Sequence, residues 1–393
     1  MKQTIAIAGA GIGGLAAASL LARDGHHVTV FDQFEAPRPV GSGLVIQPVG
    51  MDVLRAAGAA DEALARGTPI QTMFGDEVAQ NRVVLSVSYG KTPDRQGLGI
   101  HRAALFGGLH DAANAAGATI VPSSPVTGRA HQHLHVAGRP EGPFDLTIDA
   151  LGAGSALSPL RSRPLPYGAV WATVPWPAEA PFAEDHLTQR YRRADRMLGV
   201  LPVGTMRDAP DTRLAAIFYS LKADGIDAHY ARPFADWRAE AEALWPEFAT
   251  YLPEGLDHGD FTRATYTHGT LKRPYDDGLV HIGDAAHRAS PQLGQGANMA
   301  LLDARALQLA LRQATGEEAL RRYAMARRWH VWIYQAMSAS FTPQYQSDST
   351  VLPVLRDRAL APLSRTWPVP AILTRLVCGD LVPPMASLET RNS

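Results

Sequence analysis

Cysteine is almost missing from this chain: Cys378 stands alone among 393 residues. One thiol cannot close an intramolecular disulfide, build a Cys-based metal cluster or form a dithiol redox pair, so a reduced, cytoplasmic protein is expected. Long apolar runs are missing too, and no segment reaches the roughly 20 uninterrupted apolar residues that favour a membrane helix, so no integral membrane segment is expected. Neither sign of charge is in excess. Lys and Arg number 37 against 38 Asp and Glu, a formal net charge of -1, and no basic tract points to nucleic acid. Metal-ligand sets are lacking as well. His131, His133 and His135 alternate on what reads as one strand face, but no nearby Cys, Asp or Glu completes a site, so a solvated face and no metal are expected. There is no internal repeat and no low-complexity tract.

What the chain does have is an ordinary globular balance, 46% apolar and 19% charged, at a length suited to about two domains. Thr4 to Ala8 reads as a strand, Gly9 to Gly14 (GAGIGG) as a turn, Gly14 to Arg23 as a helix and His27 to Phe31 as a second strand. The apolar run from Ile5 to Ala22 imitates a secretion signal. Its four glycines at dinucleotide-loop spacing, its single preceding positive charge and the strand that follows favour a βαβ unit instead. In such a unit Gly9 permits the tight turn, Gly11 lets backbone approach a pyrophosphate, and Gly14 lets helix and strand pack closely. Ile12 and Gly13 complete the loop. Asp32, 18 residues after Gly14, is placed to accept ribose hydroxyls and would repel a 2'-phosphate, which excludes NADP here. Its neighbour Gln33 and the later Val126 are also expected at the cofactor.

Gly41 to Gln47 reads as extended with Gly hinges, Pro48 to Ala57 as a helix stopped by Gly58, Gln71 to Tyr89 as sheet, and Arg102 to Gly117 as a helix. From Tyr167 to about Tyr266 aromatic-bearing strands follow one another, broken by an amphipathic helix from Phe234 to Leu244. This block reads as an antiparallel sheet inserted between cofactor segments, because a second nucleotide-type stretch, Gly283 to Ala304, lies beyond it. There Val280 to Ile282 is a strand delivering Gly283-Asp284, and Gly294 and Gly296 precede a helix whose first N–H groups, at Ala297 and Asn298, suit an anion. Helices to about Gln313 and over Gly316 to Ser340 follow, then a Pro-rich remainder of short helices.

These parts together resemble the single-component FAD-dependent aromatic hydroxylases of the para-hydroxybenzoate and salicylate hydroxylase superfamily. The match rests on GAGIGG, Asp32, Arg102 in HRAALFGGL, DLTIDALGAGS, and Gly283 to Ala304. The resemblance implies an α/β chain with a Rossmann-like FAD-binding domain (1–70, 98–165 and 267–330), an inserted, mainly antiparallel substrate domain (71–97 and 166–266) and a C-terminal helical segment (331–393). It implies FAD, with Asp284 on a ribityl hydroxyl and Arg102 also at the cofactor. It further implies hydroxylation of an aromatic or heteroaromatic small molecule with O2 and NADH or NADPH, by way of a flavin C4a-hydroperoxide. No catalytic base is named; His287, Arg288, Pro291 and Gln47 are candidates to border the ring. Trp171, Trp176, Tyr191 and Phe218 are expected in the sheet core rather than at the substrate.

Departures are also legible. Leu151 stands where the family has an acidic residue, Ser158 where it has an arginine, Arg288 where it has a proline and Leu302 where it has an acid. Asp149 is not expected to replace the first of these, and Asp303, unlike Asp284, is expected to be dispensable for FAD retention. The Leu151 change leaves open how NAD(P)H is met, and with it an FAD oxidoreductase or epoxidase, or a flavin-binding redox sensor without turnover. Substrate and oligomeric state are not readable.

Overall fold

The computed structural model describes residues 2–36, 42–90, 95–385 and 387–388. Gly41, the first expected hinge, lies outside them. The βαβ unit forms from β1 (Thr4–Ala8), α1 (Ile12–Arg23) and β2 (His27–Phe31), with α1 starting two residues early because extended Gly11 serves as its N-cap. β1 and β2 lie inside a six-stranded sheet with β8 (Thr119–Val121), β12 (Leu146–Asp149), β18 (Tyr275–Asp276) and β19 (Leu279–His281), in the order β18-β19-β12-β1-β2-β8. All its pairings are parallel except that of edge strand β18.

Strand alternation divides this layer. Ile5 and Ile7 face a core shared by α1, α4 (Arg102–Ala115) and α7 (Gly296–Gln313), while Ala6 and Ala8 face the meander β9 (Val126–Ala130), β10 (His133–Val136) and β11 (Arg139–Glu141). The meander corrects the histidine reading. His131 sits at positive φ in the turn before β10, so only His133 and His135 are on the strand, and among the described residues no His, Cys, Asp and Glu cluster could hold a metal.

A second, eight-stranded sheet runs in the order β20-β17-β13-β16-β15-β14-β5-β6. It comprises β5 (Thr72–Glu77), β6 (Arg82–Ser88), β13 (Arg163–Pro175), β14 (His186–Arg192), β15 (Arg196–Gly204), β16 (Leu214–Lys222), β17 (Thr262–Thr270) and β20 (His287–Arg288). Only β14 with β5 is parallel. Its outer face packs on α5 (Ile226–Ala231) and α6 (Phe234–Leu244), with Trp237 and Phe248 fully buried; its inner face, with Tyr191, Phe218 and Met73, meets Tyr345 and Val377 of the C-terminal part. Trp176 packs with the outer cluster, and Trp171 stands half-buried beside Phe218 on the inner face.

The two sheets are joined in two places. A small sheet of β3 (Gly43–Ile46), β7 (Gly97–His101) and β4 (Thr68–Ile70) lies so close to β15 that a side chain on Gly43 would collide with Val203, and one on Gly99 with the Pro202 carbonyl. The other join is the stretch from Gly283: β19 enters it from the parallel sheet and β20 leaves it paired with β17 of the antiparallel sheet. Helices α2 (Pro48–Ala57) and α3 (Ala60–Arg66) follow β3, and left-handed Gly58 ends α2 as expected. After α7, α8 (Gly316–Tyr345) runs one turn beyond the expected Ser340, since Pro343 falls in its last turn, where a single carbonyl loses its partner. Beyond it, α9 (Leu352–Leu355) runs through a wider helical turn at Arg356–Leu360 into α10 (Ala361–Leu363), and α11 (Val369–Cys378) follows.

Candidate functional site

Residues separated by some 270 positions meet at one end of the parallel sheet. Gly9 has φ +101°, and a Cβ there would lie 2.5 Å from the Ala150 carbonyl; a Cβ on Gly14 would collide with the Gly9 carbonyl oxygen. Gly11 is different. It is exposed, and its missing side chain would reach nothing closer than 4.0 Å, so backbone N–H groups at the α1 start stay open to a ligand. No side chain caps α1 and its first turn holds no acid. A Cβ on Gly13 would stand 3.1 Å from that of Ala300, which brings the α1 start against α7.

Asp32 lies half-buried at the end of β2, accepting hydrogen bonds from Ala10 N (2.6 Å) and Phe34 N (3.1 Å), so it braces the loop as well as facing its mouth; Gln33 beside it is exposed. Val126 is buried with Phe31 and Val136. A cleft of about 530 Å³ on that side is lined by Phe31, Ser124, Val136, Arg139 and others, but by none of the expected site residues.

Left-handed Gly283 (φ +57°) turns the chain so that Asp284 projects into solvent while protein surrounds it on most sides, the setting of a cleft floor. Partial desolvation raises its carboxyl pKa, opposed by the nearby charges of His287, Arg102 and Arg288. Arg102, exposed at the head of α4, is thus within electrostatic reach of Asp284. The α7 start lacks both a side-chain cap and an acid in its first turn, and the space over Gly296 is empty to 4 Å. Ala297 is half-buried there. Asn298 is fully buried, and its side chain is consumed by the protein: Oδ1 accepts from Gln47 N (2.8 Å), and Nδ2 donates to Val45 O (3.2 Å) and Gly294 O (3.1 Å). Only its backbone can serve an anion.

The four ring-bordering candidates separate. Gln47 is fully buried and neither amide atom has a well-formed hydrogen bond among the described residues, although the Tyr89 hydroxyl lies near. Its Nε2 would be 3.3 Å from a Cβ on left-handed Gly294. Pro291 is exposed, following Ser290, whose hydroxyl accepts from Gln292 N. Arg288 is half-buried and turned into the loop, donating to Asp284 O (2.8 Å) and Ser162 Oγ (3.0 Å). His287 is buried, with Nε2 2.7 Å from Asp303 Oδ2.

Asp303 was underrated by its sequence context. Fully enclosed, it accepts from Gly283 N (2.9 Å) and Arg327 Nε (2.7 Å) besides meeting His287, and these charged partners hold its pKa at about 2 despite burial. Arg327 continues to His330 Nδ1 (3.1 Å), and His330 Nε2 to the Gly379 carbonyl (2.9 Å), so a buried polar chain ties the Gly-Asp turn to the C-terminus of α11. Asp149, at the end of β12, holds the neighbouring segment. Wholly buried, it accepts from Leu151 N (3.1 Å) and Ser155 Oγ (2.7 Å) and lies 2.7 Å from His281 Nδ1, while Ser158 Oγ donates to Ala285 O (2.6 Å). These contacts bind the altered segment to the Gly-Asp turn from beneath, without the family's acid and arginine.

Two uncapped helix starts, open backbone over Gly11 and Gly296, and unpartnered buried amide atoms at Gln47, Gln292 and Gln295 suit a long, doubly charged ligand with a polar ring at one end. A family model described as "FAD binding domain" matches residues 2–140 and 188–337, well over half the chain. The chain belongs to the FAD-binding monooxygenase family. Kynurenine 3-monooxygenase of Stenotrophomonas maltophilia (strain K279a) is 30% identical over 356 residues, covering 80% of this chain and 72% of that one. 6-Methylpretetramide 4-monooxygenase of Streptomyces rimosus is 26% identical over 399 residues, covering 96% and 92%. In fold, this family member superposes on the crystal structure of a 2-methyl-3-hydroxypyridine-5-carboxylic acid oxygenase mutant with TM-score 0.76, at 21% identity, over 93% of this chain and 99% of the other. The chain is therefore an FAD-dependent monooxygenase acting on aromatic compounds, and the oxidoreductase, epoxidase and sensor alternatives are not favoured. None of its described helices is long and apolar enough to cross a membrane.

Proposed function

We propose that this monooxygenase hydroxylates an electron-rich aromatic or heteroaromatic small molecule bearing a polar or acidic substituent, using O2 and NADH or NADPH. Kynurenine, a hydroxypyridine carboxylate and a pretetramide, named for the relatives above, share that chemistry. The observation that carries the reading is where the Gly-Asp stretch lies: it ends one sheet and begins the other, so a ring held there is bordered by cofactor loops on one side and by the inner face of the antiparallel sheet on the other.

FAD, when bound, supplies the redox chemistry and the activation of oxygen. The chain's own work is binding, orientation and water exclusion. The α1 start and Gly9, Gly11, Ile12, Gly13 and Gly14 would hold the pyrophosphate, Asp32 with Gln33 and Val126 the adenosine end, Asp284 and Arg102 the ribityl part, and Gly294 to Asn298 the polar edge of the ring. On the opposite side, half-buried Trp171 donates to the Tyr266 hydroxyl (3.3 Å), and burial pushes that phenol up to about 12, so it stays a neutral donor toward a substrate group. Ser290, next to Pro291, meets Ser338, which in turn meets His268 of β17 at 3.2 Å, fixing the proline segment against the sheet. Gln47 and Pro291 would border the ring, while His287 and Arg288 shape the loop. The three-part domain division and a cytoplasmic location, suited to one buried free thiol, belong to the same proposal.

The test is direct. Purified protein should be yellow and oxidise NADH or NADPH faster when a phenol, hydroxypyridine or aminobenzoyl compound is present, yielding a hydroxylated product. Trp171→Ala should raise KM for that compound with FAD content unchanged. Colourless protein that takes up no FAD would overturn the reading, as would FAD-loaded protein whose NAD(P)H oxidation no aromatic compound affects.

A further inference from the structure

Opposite its buried face, α8 carries an exposed stripe in which Met325, Trp329, Trp332, Ala336 and Ala339 recur at alternating spacings of four and three residues, continued by half-buried Pro343. That 3.5-residue repeat is the pattern of a helix that packs lengthwise on another helix. Met325, Trp329 and Trp332 are 58%, 59% and 60% exposed, and side by side on one face they make a contiguous apolar patch of the kind that marks an interaction site. The two indoles stand edge to face at 5.8 Å, and Arg328 lies over Trp329. The stripe is graded: bulky in its first half, small at Ala336 and Ala339, with Ser340 beside them, in its second.

We propose that this stripe joins two copies of the chain, their α8 helices antiparallel about a two-fold axis near residue 334. That sense sets Trp332 of one copy on Ala336 of the other, Trp329 on Ala339 and Met325 on Pro343, each bulky side chain on a smaller one. A parallel sense would stack indole on indole and Arg328 on Arg328. Antiparallel, the two Arg328 positions lie 12 residues apart along the axis, about 18 Å, beyond the Debye length of roughly 8 Å in physiological salt. The area also suffices. Each tryptophan has roughly 150 Å² to lose, and with Met325 and the small half each copy buries about 650 Å², near the lower bound of stable interfaces. Beside the bulky end of the stripe Glu318 pairs with both Arg321 (2.7 Å) and Arg322 (2.8 Å), which offsets one of those two positive charges, while Arg328 lies over Trp329.

Sedimentation of the FAD-loaded protein across low to high micromolar concentration tests this. A monomer–dimer equilibrium is expected. Trp329→Glu and Ala336→Trp should each weaken it at least about tenfold, with FAD content and turnover unchanged since neither residue touches the site. Trp329→Cys combined with Ala339→Cys should give a disulfide-linked dimer on oxidation. A wild-type monomer throughout, a dimer indifferent to both single variants, or a monomer whose tryptophans instead bind phosphatidylserine vesicles would overturn the proposal.

Discussion

Single residues carry this site's charge logic. Asp303 and Arg327 form an enclosed ion pair, and removing one member of such a pair leaves the other buried alone, at a cost of about 3 to 5 kcal/mol. Asp303→Asn is therefore expected to lower the melting temperature markedly and to loosen FAD as well, since Gly283 N loses its acceptor. Asp284→Ala should weaken FAD retention with little loss of apoprotein stability, because its side chain projects into solvent. Comparing thermal denaturation and flavin fluorescence of the two variants separates the roles. His330 adds a pH test. Burial and the neighbouring Arg327 lower its pKa to about 3, so it is neutral when folded and protonates near 6.5 when unfolded. Stability is then lost as pH falls from about 6.5 toward 3, by up to about 1.4 kcal/mol per pH unit for one such group. His330→Gln should flatten the fall in melting temperature between pH 7 and 5; an unchanged slope would show that other groups govern it.

Among the elements, helix starts matter most. Both α1 and α7 begin without a cap or an acid, an arrangement that leaves N–H groups unpaired unless a ligand meets them. Ala297→Asp would place a carboxylate in the first turn of α7, where it competes with the negative charge of reduced flavin. The flavin midpoint potential should fall by about 10 to 20 mV, the equivalent of roughly 0.5 to 1 kcal/mol for a two-electron couple. Spectroelectrochemical titration of variant and wild type would show it; a rise in potential would refute the assigned polarity. At α1 the close contact of Gly14 with Gly9 leaves no room for a methyl group, so Gly14→Ala should separate the loop from the helix and abolish FAD binding. The wild-type residue pair was recognisable from the GAGIGG spacing because only glycine allows that approach.

At the scale of the molecule, the site is a seam. Gly43 packs against β15 side chains and Gly99 against its backbone, which brings the small sheet close to β15, and β20 continues the Gly-Asp stretch into the antiparallel sheet. Layers joined that closely should unfold together, so calorimetry is expected to give one cooperative transition, displaced upward by FAD by about 2.7 kcal/mol of stability at a hundredfold excess over Kd. Two separated transitions would mean independent layers. The sequence alone determined the βαβ unit, α6, α7 and the chemistry of the Gly-rich and Gly-Asp stretches, because glycine spacing and apolar periodicity are local constraints that survive any tertiary context. It missed the meander strands β9 and β11 and misplaced His131, since short polar strands have little periodicity of their own. Tertiary structure alone decided that Asn298 turns inward, that Asp149 ties down the segment around Leu151, and that Asp303 anchors the Gly-Asp turn. Each of those roles depends on partners distant in the chain, and a buried carboxylate's function is set by which donors surround it rather than by its own position in the sequence.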